Sequence, residues 1–172
     1  FPAAEDGFDP VQSASAYVVT LTEALFERLL TYDYLARPVR VVPMTAEALP
    51  DISADGRTYT FRLRKGIHFI PDPAFKGQPR ELTAEDYAYT IKRFMDPSLR
   101  SPWQFLFEGK ITGLDELAAS AKKTGRFDYD RKIAGLTVPD RYTLRIRLNA
   151  PDYNFHYIMA HGALGAMARE VV

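Results

Sequence analysis

The run at residues 57–64 constrains this chain most: Tyr59, Phe61 and Leu63 alternate with Thr58, Thr60, Arg62 and Arg64. Side chains on a strand point to opposite faces at period two, so this segment has one apolar and one polar face. Such a strand needs neighbours to pair with and a layer to cover its apolar side. Ala54-Asp55-Gly56 is a tight-turn signal and predicts a hairpin with residues 49–53. Residues 141–148 alternate in the same way, with Tyr142, Leu144, Ile146 and Leu148 inward, until Ala150-Pro151 breaks the run.

Helical signals surround these strands. Between residues 16 and 30, Val18, Leu21, Leu25 and Leu29 recur at helical spacing, with Val19, Phe26 and Leu30 widening the stripe. Residues 31–42 read as a loop followed by a short β-branched run, Val39, Val41 and Val42. Lys65-Gly66 is a second turn, leading into Ile67-His68-Phe69-Ile70. Residues 71–80, with three prolines and a glycine, read as an exposed loop. Thr83 is a natural N-cap, and Asp86 three residues on completes a variant capping box. Tyr87, Ile91 and Phe94 form the buried stripe of that helix, and Asp96-Pro97 ends it. A further helix spans residues 114–123 before Gly125, and an apolar helical stretch runs from Asn154 towards Ala160. Helices mixed with hairpins predict an α/β or mixed α+β domain with a mixed sheet.

Composition removes several function classes. The 22 basic and 22 acidic side chains cancel, so no long-range field favours nucleic acid. With no cysteine, disulfides, thiol catalysis and Cys-ligated zinc are excluded. His156 and His161, five apart, fall on different helical faces, unlike a zinc-binding pair, and His68 lies far off in sequence; no metal site is expected. Glu85 and Asp86 are adjacent carboxylates explained by capping, and Asp128 and Asp130 lie in a polar loop. No nucleophile elbow, Walker loop or dinucleotide fingerprint is present, so neither catalysis nor a cofactor is expected. Arg62, Arg64, Lys65, Arg141, Arg145 and Arg147 give a basic sheet face, read as solvated or ion-paired. Trp103, the only tryptophan, follows Ser101-Pro102 at a loop exit. A lone indole most often anchors a core; at a loop exit it can also wall an apolar cleft.

In sequence order these landmarks resemble the peptide- and dipeptide-binding proteins of ABC importers, the family 5 extracellular solute-binding proteins. Phe8-Asp9-Pro10 resembles the family's early Leu-Asp-Pro, and the segment Leu25-Phe26-Glu27 through Asp33 resembles its first helix ending. The most specific piece runs from Asp55-Gly56 through Tyr59, Phe61, Leu63-Arg64 and Gly66 to Phe69. Leu82-Thr83-Ala84-Glu85-Asp86-Tyr87 with Arg93, then Asp96-Pro97, Ser101-Pro102 and Ile111-Thr112-Gly113, follow in family order. Two departures point to a divergent subfamily: Ala48-Leu49 stands where the family commonly has Trp, and a longer loop at residues 71–80 replaces a short one.

The resemblance implies a periplasmic-binding-protein-like, bilobal protein of the peptide-binder cluster. This chain would be a fragment, consistent with an ending that resembles a cut: residues 1–26 start the N-terminal lobe, 27–150 form the small extra domain, and 151–172 return towards the lobe. The backbone of Ala14, Ser15 and Ala16 lines up with a segment that hydrogen-bonds an extended peptide, and Trp103 with an aromatic facing the cleft. The implied partners are a peptide or other small solute and an ABC permease complex, in a monomer at the periplasm or cell surface whose export signal lies outside this sequence. The implied role is non-enzymatic solute capture. Metal chelates, haem, oligosaccharides or opines are alternative solutes, and a non-transport adaptor is an alternative role.

Overall fold

The structure, a computed structural model, describes residues 7–172. Residues 1–6 of the expected lobe segment lie outside the described residues. The chain forms α1 (Ala16–Leu25), a hairpin of β1 (Leu30–Tyr32) and β2 (Val41–Pro43), then β3 (Asp51–Ile52) and β4 (Thr58–Arg62). It continues through α2 (Ala84–Phe94), α3 (Leu114–Thr124), β5 (Leu136–Asp140), β6 (Thr143–Arg147) and the short α4 (Phe155–Ile158). The main sheet is antiparallel in the order β3-β4-β6-β5, separate from the β1–β2 ribbon. Helices and strands are mixed as expected, but the expected mixed sheet is not found: every pairing is antiparallel, because neighbouring strands are joined as hairpins or return in opposite directions.

The sheet forms because its apolar faces coincide. Tyr59 pairs with Ile146 and Phe61 with Leu144, so the buried side chains of β4 and β6 stand side by side. Helix α2 covers them with Tyr87, Ile91 and Phe94, each at most 1% exposed. Phe94 meets Phe107 edge-on at 5.4 Å between ring centroids, a geometry the ring quadrupoles favour. Gly56 at φ +65° makes the β3–β4 turn, and a side chain there would meet the Tyr153 ring at 2.8 Å. On the outer face, Arg62 pairs with Asp51 at 2.6 Å and Arg141 with Glu81 at 3.1 Å, while Arg64, Arg145 and Arg147 are exposed.

Two further expectations need correction, and one strand was not expected. The helix stops at Leu25 instead of running to residue 30, with Phe26 extended at φ −114° and ψ 121°. Leu30 then enters β1 opposite Pro43, so the apolar stripe is divided between a helix and a ribbon. Within α1 only Val18 and Thr22 are buried; Leu21 and Leu25 face outward. Residues 31–42 are accordingly the two arms and tip of the β1–β2 ribbon, not a loop and a run. The unexpected strand is β5, hidden because Pro139 stands inside it; it is a sheet edge with a register shift between Thr137 and Asp140, where a missing N–H is tolerated.

The entry to α2 is the best-braced local feature. The Asp86 carboxylate accepts from the Thr83 N–H at 2.7 Å and the Thr83 hydroxyl at 2.9 Å. It also holds Arg80 at 2.6 and 3.1 Å, and Arg80 in turn reaches Glu170 near the chain's end at 2.8 Å. Glu85, its neighbour, is exposed. Asp86→Ala should therefore cost about 3 kcal/mol of unfolding free energy. A broken buried pair costs roughly 3–5 and a lost cap about 1, but Arg80 keeps Glu170 and some water. Glu85→Ala should stay within about 0.5 kcal/mol. Urea denaturation of the two variants checks the contrast.

Candidate functional site

The segment expected to pair with a ligand is held from one side by α2 and the loop after it. Asp9 caps its own turn, accepting from the Val11 N–H at 3.0 Å, while its carboxylate takes both guanidinium nitrogens of Arg93 at 3.0 and 2.6 Å. Arg93 is buried on α2. Ser101 donates to the Val11 carbonyl at 2.6 Å, and the Trp103 indole N–H donates to the Ser13 carbonyl at 2.8 Å. Four attachments across about 90 residues of sequence thus fix residues 9–13.

At Ala14, directly after Ser13, the backbone comes free. Ser15 is extended at φ −61° and ψ 127° as the residue before α1. Ala14 is exposed, and its N–H and carbonyl have no hydrogen-bond partner among the described residues. The Ser15 carbonyl is taken by the Val19 N–H at 2.8 Å and the Ala16 carbonyl by the Thr20 hydroxyl at 2.9 Å. The exposed, unpaired main chain of Ala14, next to the extended Ser15, can accept a ligand backbone as a strand would.

Trp103 stands beside this segment, half-buried. Its ring packs on His161 at 4.6 Å between centroids and on Phe105 at 6.4 Å. The indole N–H thus anchors the segment, while the ring remains partly open. His161 accepts the Ala163 N–H on Nδ1 at 3.2 Å. Burial pushes its pKa down, with Glu23 acting against that and Arg28 with it. Glu23 and Arg28 pair with each other at 3.3 Å, and Arg28 is buried. Gly162 is required here, because a side chain would collide with the Glu23 carboxylate. The sequence reading considered His161 only as a possible zinc partner of His156; nothing local in the sequence marks its packing on Trp103. His156 instead lies against Tyr157 at 4.3 Å.

A concavity lies between α2 and residues 129–138, where most of the polar groups already satisfy one another. Lys92 donates to the carbonyls of Tyr129 and Arg131 at 2.7 and 3.0 Å, the Tyr129 hydroxyl donates to Asp96 at 2.6 Å, and Arg169 ion-pairs with Asp130. It offers a ligand little that is unpaired. Among the described residues, no three His, Asp or Glu side chains gather as a metal ion needs, and no helix is long and apolar enough to cross a membrane.

Comparison with known proteins gives a consistent picture. The sequence profile of the bacterial extracellular solute-binding proteins, family 5, middle part, matches residues 40–168. Di/tripeptide-binding protein 4 of Pseudomonas aeruginosa is 34% identical over 166 residues, covering 92% of this chain and 27% of that protein. The periplasmic oligopeptide-binding protein OppA of Escherichia coli is 27% identical over 165 residues, covering 95% of this chain and 27% of its own length. The solved structure of the Escherichia coli murein tripeptide-binding protein MppA superimposes with a TM-score of 0.69 at 27% identity, over 95% of this chain and 28% of that one. The chain spans about a quarter of the length of the curated relatives it matches.

Because Trp103 is the chain's only tryptophan, its emission reports this site directly. Protonated imidazole quenches a neighbouring indole more strongly than neutral imidazole does. Emission should fall on acidification with a midpoint below histidine's usual value of about 6.5, since burial disfavours the charged ring. His161→Gln should abolish the step in a fluorescence titration of the 172-residue chain.

Proposed function

Since the chain belongs to the bacterial extracellular solute-binding proteins of family 5, we propose that it is part of the substrate-binding component of an ABC-type importer, taking di- or oligopeptides. The observation that carries this reading is the unpaired backbone at Ala14, between the Ser13 carbonyl held by Trp103 and the extended Ser15. Main-chain recognition gives affinity for any peptide regardless of its side chains, which suits a broad importer. Ala14, Ser15 and Ala16 supply the pairing segment and Trp103 a wall of the cleft.

In this reading residues 27–150 form the small extra domain, and residues 1–26 and 151–172 belong to the larger lobe. The junction between them is close-packed: Gly165 lies so near Phe26 that a Cβ on it would come within 2.2 Å of the Phe26 Cβ, and the Ala166 N–H donates to the Glu27 carbonyl at 3.0 Å. A second lobe closes over the peptide by hinge motion and a membrane permease receives it. The protein works in the periplasm or at the cell surface, as a monomer, without catalysis. The absence of a nucleophile–base arrangement in the sequence and the family's binding role support the last point.

Native mass spectrometry of the full-length mature protein from its own cells tests this. Short peptides released on denaturation are the expected result. A single non-peptide mass overturns the peptide assignment, and a site that stays empty against peptide libraries overturns the transport reading. Ala14→Pro removes one backbone donor and should weaken peptide binding about tenfold to a hundredfold by calorimetry, from roughly 1–3 kcal/mol for the lost bond.

A further inference from the structure

On the ring surface next to the pairing segment the Trp103 N–H and His161 Nδ1 are engaged within the protein, which leaves His161 Nε2 as its polar atom. Trp103 spends its N–H on the Ser13 carbonyl, and His161 spends Nδ1 on the Ala163 N–H. Phe105, 61% exposed, also neighbours Trp103, at 6.4 Å between ring centroids. The ionic groups nearest His161, Glu23 and Arg28, neutralise each other at 3.3 Å. What remains for a ligand is aromatic surface with little net charge, one residue along from the free backbone of Ala14.

We infer that Phe105 and His161 are specificity-determining residues, which extend Trp103 into a three-ring group that selects ligands with an aromatic or large aliphatic side chain. The inference rests on the peptide reading above and deepens it. A peptide residue lying against the Ala14 backbone projects its side chain alongside these rings, since strand pairing fixes the direction in which side chains leave the main chain. Large apolar side chains gain from burial on such a surface, and aromatic ones gain further from ring–ring geometry. Small or charged side chains gain less. Cationic side chains can also lie on aromatic faces, but the carboxylate that acts on the His161 ring, Glu23, is already taken by Arg28. The charged groups facing that ring are Glu23 and Arg28 from the α1 side, already paired with each other.

The test uses the full-length protein and calorimetry with peptides of one length, carrying Phe, Leu, Lys or Ala at each position in turn. At one position Phe and Leu should bind about tenfold tighter than Ala, the scale that ring packing and burial supply. Phe105→Ala and His161→Ala should each reduce that ratio to about twofold, while His161→Phe, which keeps a ring, should preserve it. Ile70→Ala, an exposed residue on the 71–80 loop side, should leave the ratio unchanged. A wild-type protein that binds peptides without side-chain preference overturns the inference alone. The same follows if it prefers Lys to Phe, or if the preference survives in both alanine variants. A wild-type protein that binds no peptide overturns the functional reading itself, and this inference with it.

Discussion

The double hydrogen bond from Arg93 to Asp9 is the contact on which the candidate site depends. A planar guanidinium donating two parallel bonds to one carboxylate fixes orientation as well as distance. Arg93 lies on the buried face of α2, and its Nη1 also reaches the sulfur of Met167 at 2.7 Å. One side chain thus joins the first described segment, a core helix and the last segment. Because α2 is seated on the main sheet, the free backbone at Ala14 inherits the rigidity of that sheet. A ligand that pairs there does not have to order the segment first, which is where flexible binding loops lose affinity.

Much of the fold was legible in the sequence because its strands are half-buried. Residues 57–64 and 141–148 carry period-two patterns, and the structure pairs Phe61 with Leu144 and Tyr59 with Ile146. The Thr83–Asp86 cap was legible because capping chemistry is local. The failures share a physical origin: a tertiary partner that no window of sequence contains. Leu29 and Leu30 continue a helical stripe on paper, yet the ribbon with residues 41–43 and the close approach of Gly165 to Phe26 end the helix at Leu25. Pro139 disguised β5, since only its place at the edge of the sheet makes a proline acceptable there.

The site was legible in a different way. Ala14, Ser15, Ala16 and Trp103 were singled out by resemblance, and the structure places Trp103 in contact with Ser13, directly before those three residues. Nothing in their residue types required this. His161 lies 58 positions beyond Trp103 and packs against it because the chain returns past α1 after α4. Phe105 is not marked by its sequence context, and its exposure is a property of the folded surface. Residue chemistry was readable from the sequence; juxtaposition needed the fold.

The order of strands in the main sheet carries a consequence for how the molecule assembles. Strand β4 lies between the two-residue β3 and β6, whose residues follow about 80 positions later in the chain. Bringing such distant segments together costs loop entropy before any contact rewards it, and topologies rich in distant pairings fold slowly. Until residues 143–147 arrive, Tyr59, Phe61 and Leu63 have no full partner strand and no sealed layer above them. A nascent chain of this kind therefore stays extensible through most of its length and commits to a folded state late, when a single pairing closes the sheet.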